Sequence, residues 1–382
     1  MSTGSRFLRR RRLAQIPLVP GNAVTLLRDG GPYFQALEAA IGAAQSYVWL
    51  ETYILASDGT GWRIARALAE RAAAGVEVAV SYDGFGSSEL SDELITFFES
   101  ARIKQVEFNP VSPFTGRWPW SRRNHRKILV VDGRVAIIGG LNIGNDYASV
   151  EDGGHGWRDT AARIEGPAVP QLEAMFRQAW EESRGSALRH PPLSVGPVSG
   201  GVPVRFVGSF ARKLRADIRR DYIGAITSSS QTIRLMNAYF TPDRGLVRAL
   251  VKAARRGVKV EIITGAATDV WVILMVTRGL YAHLLKSGVR IWEWHERVLH
   301  AKTAVIDGVW STIGSANMNQ RSLRTDLEAN VTIASAQVGG EMDAMFEADR
   351  TRSREITIAE WSARPWYRRT LEWFFGLFRR LV

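Results

Sequence analysis

The stretch NHRKILVVDGRVAIIGGLN, residues 124–142, places His125, Lys127 and Asp132 in the spacing H-x-K-x4-D, with an apolar run between the lysine and the aspartate. Alone, such a triplet reads as a solvated strand with charged ends. It is not alone: LHAKTAVIDGVWSTIGSAN, residues 299–317, repeats the spacing with His300, Lys302 and Asp307. The flanks recur as well, since Gly139, Gly140 and Asn142 follow the first triplet as Gly314, Ser315 and Asn317 follow the second. A chance triplet does not bring its flanks with it, so the two copies read as a duplicated functional element.

On an extended strand, residues two apart point to one face, so each histidine is expected beside its lysine. Both stretches then read as β-hairpins turning at Asp-Gly, a favoured two-residue turn. The returning strand brings the small residues and the asparagine back beside the His and Lys. There Asn142 and Asn317 can donate to an oxyanion, and the Gly or Ser before them, Ser315 in the second copy, lets backbone approach a ligand.

Working outward, residues 40–84 (AIGAAQSYVWLETYILASDGTGWRIARALAERAAAGVEVAVSYDG) resemble residues 225–265 (AITSSSQTIRLMNAYFTPDRGLVRALVKAARRGVKVEIITG). Each reads as a helix end, a strand, a helix with an apolar face and a second strand, with Gly75 and Gly257 suited to end the helix. A repeat of about half the chain is a duplicated domain rather than a solenoid array. The predicted class is α/β: two duplicated domains with mixed or parallel sheets, related by a pseudo-two-fold axis. The expected division is a basic N-terminal segment (1–20), a first domain (21–185), a Gly/Pro/Ser-rich linker (186–201), a second domain (202–350) and an amphipathic C-terminal segment (351–382).

Beyond each asparagine lies a carboxylate in matching context, Asp159 in WRDTAARI and Glu328 in DLEANVTI. A carboxylate accepting from Nδ1 fixes a histidine's tautomer and raises its basicity. Chain order predicts Asp159 for His125 and Glu328 for His300, although 17 positions separate Asn142 from Asp159 and 11 separate Asn317 from Glu328. Two histidines, two lysines and two asparagines converging across a two-fold suit phosphoryl transfer. One imidazole attacks phosphorus, the other protonates the leaving oxygen, and the lysines and asparagines stabilise charge on the non-bridging oxygens. This arrangement calls for no metal and no cofactor.

At 46% hydrophobic residues the 382-residue chain can bury a large core, and its net charge of +12 favours a polyanionic partner, nucleic acid or an anionic membrane surface. Cysteine is absent, so neither disulfides nor a thiolate zinc site can form. The Arg9–Arg12 cluster lacks the apolar run of a signal peptide after it, and no stretch has the apolar length of a membrane-spanning helix.

These paired H-x-K-x4-D motifs, each followed by G-[GS]-x-N, resemble the phospholipase D superfamily over nearly the whole chain. More narrowly, NHRKILVVDGRVAIIGGLNIGNDY, WRDTAARIEGPAV and GSANMNQRSLRTDLEAN are similar to bacterial cardiolipin synthases, especially the short forms without N-terminal transmembrane helices. The resemblance implies ping-pong transphosphatidylation: a histidine is phosphatidylated, glycerol leaves, and a second phosphatidylglycerol attacks to give cardiolipin. Carried onto this chain, His125 is the nucleophile and His300 the general acid and later base, with the pseudo-symmetry leaving the reverse assignment open. In the family the motif aspartates are mainly structural, which ranks Asp132 and Asp307 below the other catalytic candidates. Hydrolytic phospholipase D shares the same half-reaction and is the alternative. A superfamily nuclease fits the charge, but no nucleic acid partner is expected, because the Trp and Phe residues concentrate in basic terminal and loop segments.

Those segments are NPVSPFTGRWPWSRR, residues 109–123, with Phe114, Trp118 and Trp120 among Arg117, Arg122 and Arg123, and WYRRTLEWFFGLFRRLV, residues 366–382. The first is either packed into the domain junction or an interfacial loop at the mouth of the site. The second reads as an interfacial helix beside anionic lipid. Residues 268–288, TDVWVILMVTRGLYAHLLKSG, are expected to form a largely buried helix. Peripheral association with the cytoplasmic face of the cell membrane is the expected placement. His155, His190, His283 and His295 lack comparable company and are expected outside the site.

Overall fold

The computed structural model describes residues 16–112, 118, 121–189, 195–208, 217–267, 271–367, 370 and 375. Arg9–Arg12, Phe114, Arg117, Trp120, His190 and most of 366–382 lie outside the described residues.

The first half runs β1 (Val19–Arg28), α1 (Gly30–Gly42), β2 (Tyr47–Thr52), α2 (Gly59–Ala73), β3 (Glu77–Asp83), α3 (Asp92–Ser100), β4 (Lys104–Phe108), β5 (Ile128–Val131), β6 (Val135–Gly139), β7 (Thr160–Glu165) and α4 (Val169–Glu182). The second runs β8 (Val202–Gly208), α5 (Asp217–Ser228), β9 (Thr232–Asn237), α6 (Arg244–Arg255), β10 (Lys259–Gly265), α7 (Trp271–Lys286), β11 (Arg290–Trp294), β12 (Lys302–Ile306), β13 (Trp310–Gly314), α8 (Gln320–Arg324), β14 (Ala329–Ala334), α9 (Ala336–Thr351), β15 (Ser353–Ile356) and α10 (Ile358–Ser362). The repeat is local as well as global. Asp58 caps α2 by accepting from the Gly61 N–H (2.9 Å), and Asp243 caps α6 by accepting from Gly245 (2.7 Å) and Leu246 (3.1 Å). Gly75 and Gly257 follow those helices at φ 88° and 92°, the left-handed conformation that closes a helix end.

Strand order is β1-β7-β6-β5-β2-β3-β4 in the first half and β8-β14-β13-β12-β9-β10-β11 in the second, with β15 added at the far edge. β2, β3 and β4 are parallel, as are β9, β10 and β11. The halves join edge to edge where β1 pairs antiparallel with β8.

Alternation along buried strands builds a layered core. Val48 and Leu50 of β2 face the layer of α1, α2 and α3, whereas Tyr47 and Trp49 face inward to a core shared with Ile313, Val331 and Ile333 of the second half. Trp49 stacks on Tyr47 (4.3 Å between centroids) and on Phe176 of α4 (5.4 Å), and truncating such a side chain costs about 3–5 kcal/mol.

Two boundaries differ from expectation. Residues 353–362 do not belong to a separate terminal segment: β15 pairs antiparallel with β11, and Trp361 of α10 is buried in the second half's core. Each hairpin also has a three-residue connection, because Val131 pairs with Val135 and Ile306 with Trp310. Asp132 and Asp307 both take φ 52°, followed by Gly133 and Gly308 at 62° and 63°. That left-handed start aims each Asp carboxylate at the chain entering the neighbouring strand.

β5 is antiparallel to β2, with Ile128 opposite Glu51, so the residues just before β5 emerge at the carboxyl ends of β2, β3 and β4. β12 stands in the same relation to β9, with Lys302 opposite Asn237. Both H-x-K segments therefore sit on the carboxyl edge of parallel strands, the usual location of ligand sites in open α/β sheets.

Candidate active site

Before entering β5, the chain crosses to the other half. Leu327 N–H donates to Arg123 O and His125 N–H to Leu327 O, both at 2.9 Å, pairing Asn124 with Leu327 in parallel. The mirror image pairs Arg158 with Leu299, through Arg158 N–H to Val298 O (2.9 Å) and His300 N–H to Arg158 O (2.8 Å). Asp83 at the end of β3 accepts the Asn124 N–H (2.7 Å), and Asp326 accepts the Arg123 N–H (2.9 Å).

These bridges decide which carboxylate meets which histidine. Glu328 follows Leu327 and lies 3.0 and 3.1 Å from His125 Nδ1, while Asp159 follows Arg158 and lies 2.7 Å from His300 Nδ1. The pairing expected from chain order, Asp159 with His125 and Glu328 with His300, is thus reversed. Each histidine is oriented by the opposite half, because the interdomain backbone pairing, not the repeat itself, sets the register.

The lysines turn back onto the same strands. Lys127 Nζ donates to His125 O (2.6 Å) and lies 5.0 Å from the Tyr53 ring centre, and Lys302 Nζ donates to His300 O. Burial pushes the His125 imidazole below its ordinary value; Lys127 and Lys302 add to this and Glu328 opposes it. Burial likewise holds the Lys127 ammonium well below its usual value against the pull of Glu328, and Lys302 deepens the shift. Asp159 is pushed up to about 6 by burial, although Lys302 favours its ionised form.

Asp132 and Asp307 stand apart from this chemistry. Asp132 accepts the N–H groups of Gln45, Ser46 and Tyr47, each at 2.8 Å. Asp307 accepts those of Ser230 (2.8 Å), Gln231 (2.8 Å) and Thr232 (2.9 Å). Both fasten the start of a parallel strand to a hairpin turn.

The phosphate-binding candidates divide. Ser315 Oγ donates to Glu328 and accepts the Ala329 N–H (3.1 Å), so the hydroxyl steadies a carboxylate instead of facing a ligand. At the matching Gly140 an added Cβ would come within 2.3 Å of Asp159 Oδ2, which explains the glycine. Asn142 Oδ1 accepts the Ile54 N–H (3.1 Å) and its Nδ2 donates to Tyr147 OH (2.6 Å). Asn317 is buried, and its Oδ1 has no hydrogen-bond partner among the described residues.

Aromatic rings packed on the histidines complete the site. Tyr53 lies 4.9 Å from His125, and Tyr147, Trp157 and Tyr239 lie 5.2, 5.8 and 6.4 Å from His300. Sequence reasoning passed over them. Tyr53 and Tyr239 stand one position out of register in the repeat, Tyr53 matching Ala238 and Tyr239 matching Ile54, so the repeat carried no aligned signal. Tyr147 lies in the stretch that has no counterpart, and Trp157 stands where the second copy has Asp326. His155 bonds Asp146 (2.6 Å) on the surface, and His283 and His295 are exposed.

Fold and site together are those of a phospholipase D-like protein whose candidate centre draws on both halves. The sequence matches the family described as cardiolipin synthase, PLD-like domain, over residues 37–180 and 222–350. It is 37% identical over 317 residues to cardiolipin synthase B of Escherichia coli, covering 82% of this chain and 76% of that protein. It is 33% identical over 367 residues to cardiolipin synthase of Geobacillus thermodenitrificans, covering 94% and 72%. The chain belongs to the cardiolipin synthase family of phosphatidyltransferases. The fold is shared with phosphatidylserine synthase of Haemophilus influenzae, with a TM-score of 0.71 at 14% identity over 96% of this chain and 95% of that one.

Proposed function

We propose that the chain makes cardiolipin from two phosphatidylglycerol molecules through a phosphohistidine on His125. The observation carrying this reading is the crossed pairing of His125 with Glu328 and His300 with Asp159, which makes the two motifs parts of one centre. With Nδ1 of each ring turned to a carboxylate, the chemistry falls to Nε2. His125, kept neutral by burial, attacks the donor phosphorus and forms a P–N bond as the P–O bond to glycerol breaks. His300 gives its proton to the departing glycerol oxygen. The headgroup hydroxyl of a second phosphatidylglycerol then returns a proton to His300 while its oxygen attacks phosphorus, breaking the P–N bond and releasing cardiolipin. Lys127, Lys302 and Asn317 supply positive charge and a donor for the phosphoryl oxygens.

Among the described residues no helix is long and apolar enough to cross a membrane. The reading includes peripheral work on the cytoplasmic face, with residues 366–382 as anchor. Purified protein given phosphatidylglycerol vesicles should yield cardiolipin and glycerol by mass spectrometry. Phosphatidic acid alone would indicate hydrolysis, and no lipid turnover would sink the proposal. Deleting 366–382 should weaken vesicle binding by about tenfold or more while sparing turnover of a short-chain soluble substrate.

A further inference from the structure

The exposed aromatic side chains among the described residues are Phe85, Trp118, Trp271, Trp366 and Tyr367, with Trp271 at 58% and Phe85 at 43% exposure. Their placement is not scattered. Phe85 lies in the loop leaving β3, one residue past Gly84, and Asp83 at the end of that strand holds the Asn124 N–H beside His125. The next residue, Gly86, packs so closely on Tyr53 that an added Cβ would come within 2.8 Å of its ring, the ring that touches His125. Trp118 exchanges hydrogen bonds with Ser121 (3.0 and 2.9 Å), whose carbonyl accepts from Arg321 of the second half (2.9 Å). Trp271 opens α7 just beyond β10, whose last residue, Gly265, faces Leu299, the neighbour of His300.

The C-terminal segment returns to this edge. Trp361 of α10 packs on Tyr281 (4.8 Å) near the middle of α7, and Phe375 packs on Trp271 (5.1 Å) at its start. Trp361 thus lies against the middle of α7 and Phe375 against its start at the site edge, and residues 364–382 contain five arginines against one acidic residue, Glu372. The turns of the opposite edge, Asp132–Arg134 and Asp307–Val309, carry no exposed aromatic. Large amphipathic rings with cationic neighbours, on a chain of net charge +12, match the headgroup layer of an anionic bilayer.

From this placement we infer that the carboxyl edge of the two sheets is the face laid on an anionic phospholipid bilayer. The mouth between His125 and His300 then opens onto lipid headgroups, and a substrate reaches the site without leaving the membrane for water. The inference rests on the lipid substrate of the proposed function.

The test compares Phe85→Glu and Trp271→Glu, singly and together, with Val309→Glu on the opposite edge. Each rim substitution should lower partitioning onto phosphatidylglycerol-containing vesicles by about tenfold. Turnover of monomeric short-chain phosphatidylglycerol and the melting temperature should hold, and Val309→Glu should change neither binding nor turnover. Unchanged vesicle binding in the double variant would overturn the inference, as would an equal loss with Val309→Glu. A fall in melting temperature together with short-chain turnover would make the aromatics structural and also overturn it. On the unaltered protein, vesicles should protect residues 84–91 and the start of α7 from hydrogen exchange; protection elsewhere alone counts against it. Rim protection without lipid turnover would defeat the proposed function only, and short-chain turnover without rim protection would defeat this inference only.

Discussion

His125 and His300 occupy equivalent places in a duplicated chain, yet their surroundings differ. Among the described residues His125 touches one aromatic ring; its side chain is 14% exposed and faces a glutamate braced by Ser315. His300 is ringed by Tyr147, Trp157 and Tyr239, is 6% exposed, and faces an aspartate for which only glycine leaves room. Asn142 is bound to Ile54 and Tyr147, whereas the Asn317 carbonyl oxygen has no partner among the described residues. Duplication supplies two sets of the same groups in unlike surroundings, and the proposed function gives the more accessible histidine the work of nucleophile and the enclosed one the work of acid and base.

The comparison breaks most directly at the histidines. His125→Ala should abolish turnover and leave no covalent phosphatidyl adduct, while His300→Ala should permit slow adduct formation and block acceptor attack, a loss of about 10³-fold or more. A trapped adduct on His300 would exchange the two roles. Removing charge from the orienting groups comes next: Glu328→Gln and Asp159→Asn should each lower kcat by about 10²-fold. Single-turnover kinetics should show Glu328→Gln slowing adduct formation and Asp159→Asn slowing its breakdown; identical profiles would remove the distinction.

The pH profile sharpens the same contrast. Asp159, pushed up to about 6, is ionised above that pH and protonated below it, so the group orienting His300 loses its charge as pH falls. With that charge lost, kcat should drop as pH falls through about 6, and that limb should vanish in Asp159→Asn. A smaller effect is expected at Tyr147→Phe, which leaves Asn142 Nδ2 without its phenol partner, worth about 1 kcal/mol or roughly fivefold in kcat. Smallest in the chemistry are Asp132→Ala and Asp307→Ala. Each releases three backbone N–H groups and should destabilise the fold by about 1–3 kcal/mol, read as a lower Tm with kcat nearly unchanged well below it.

The duplicated α/β design was legible because each element leaves a local trace: the strand–helix–strand run of β2-α2-β3 recurs as β9-α6-β10, with Gly75 and Gly257 as helix stops. The two H-x-K copies were legible for the same reason, since spacing on a strand determines which side chains share a face. Asp159 and Glu328 were recognisable as carboxylates near the site, but their partners were misread. Nothing along the chain records that Asn124 pairs with Leu327 and Arg158 with Leu299. Tyr147 and Trp157 were missed because their contact with His300 spans both halves. By itself, then, the sequence determined the elements, their duplication and the reactive groups, all governed by neighbours a few positions apart. Only the tertiary structure decided which carboxylate orients which histidine and which edge gathers the exposed aromatics, because both follow from pairing between segments more than a hundred residues apart.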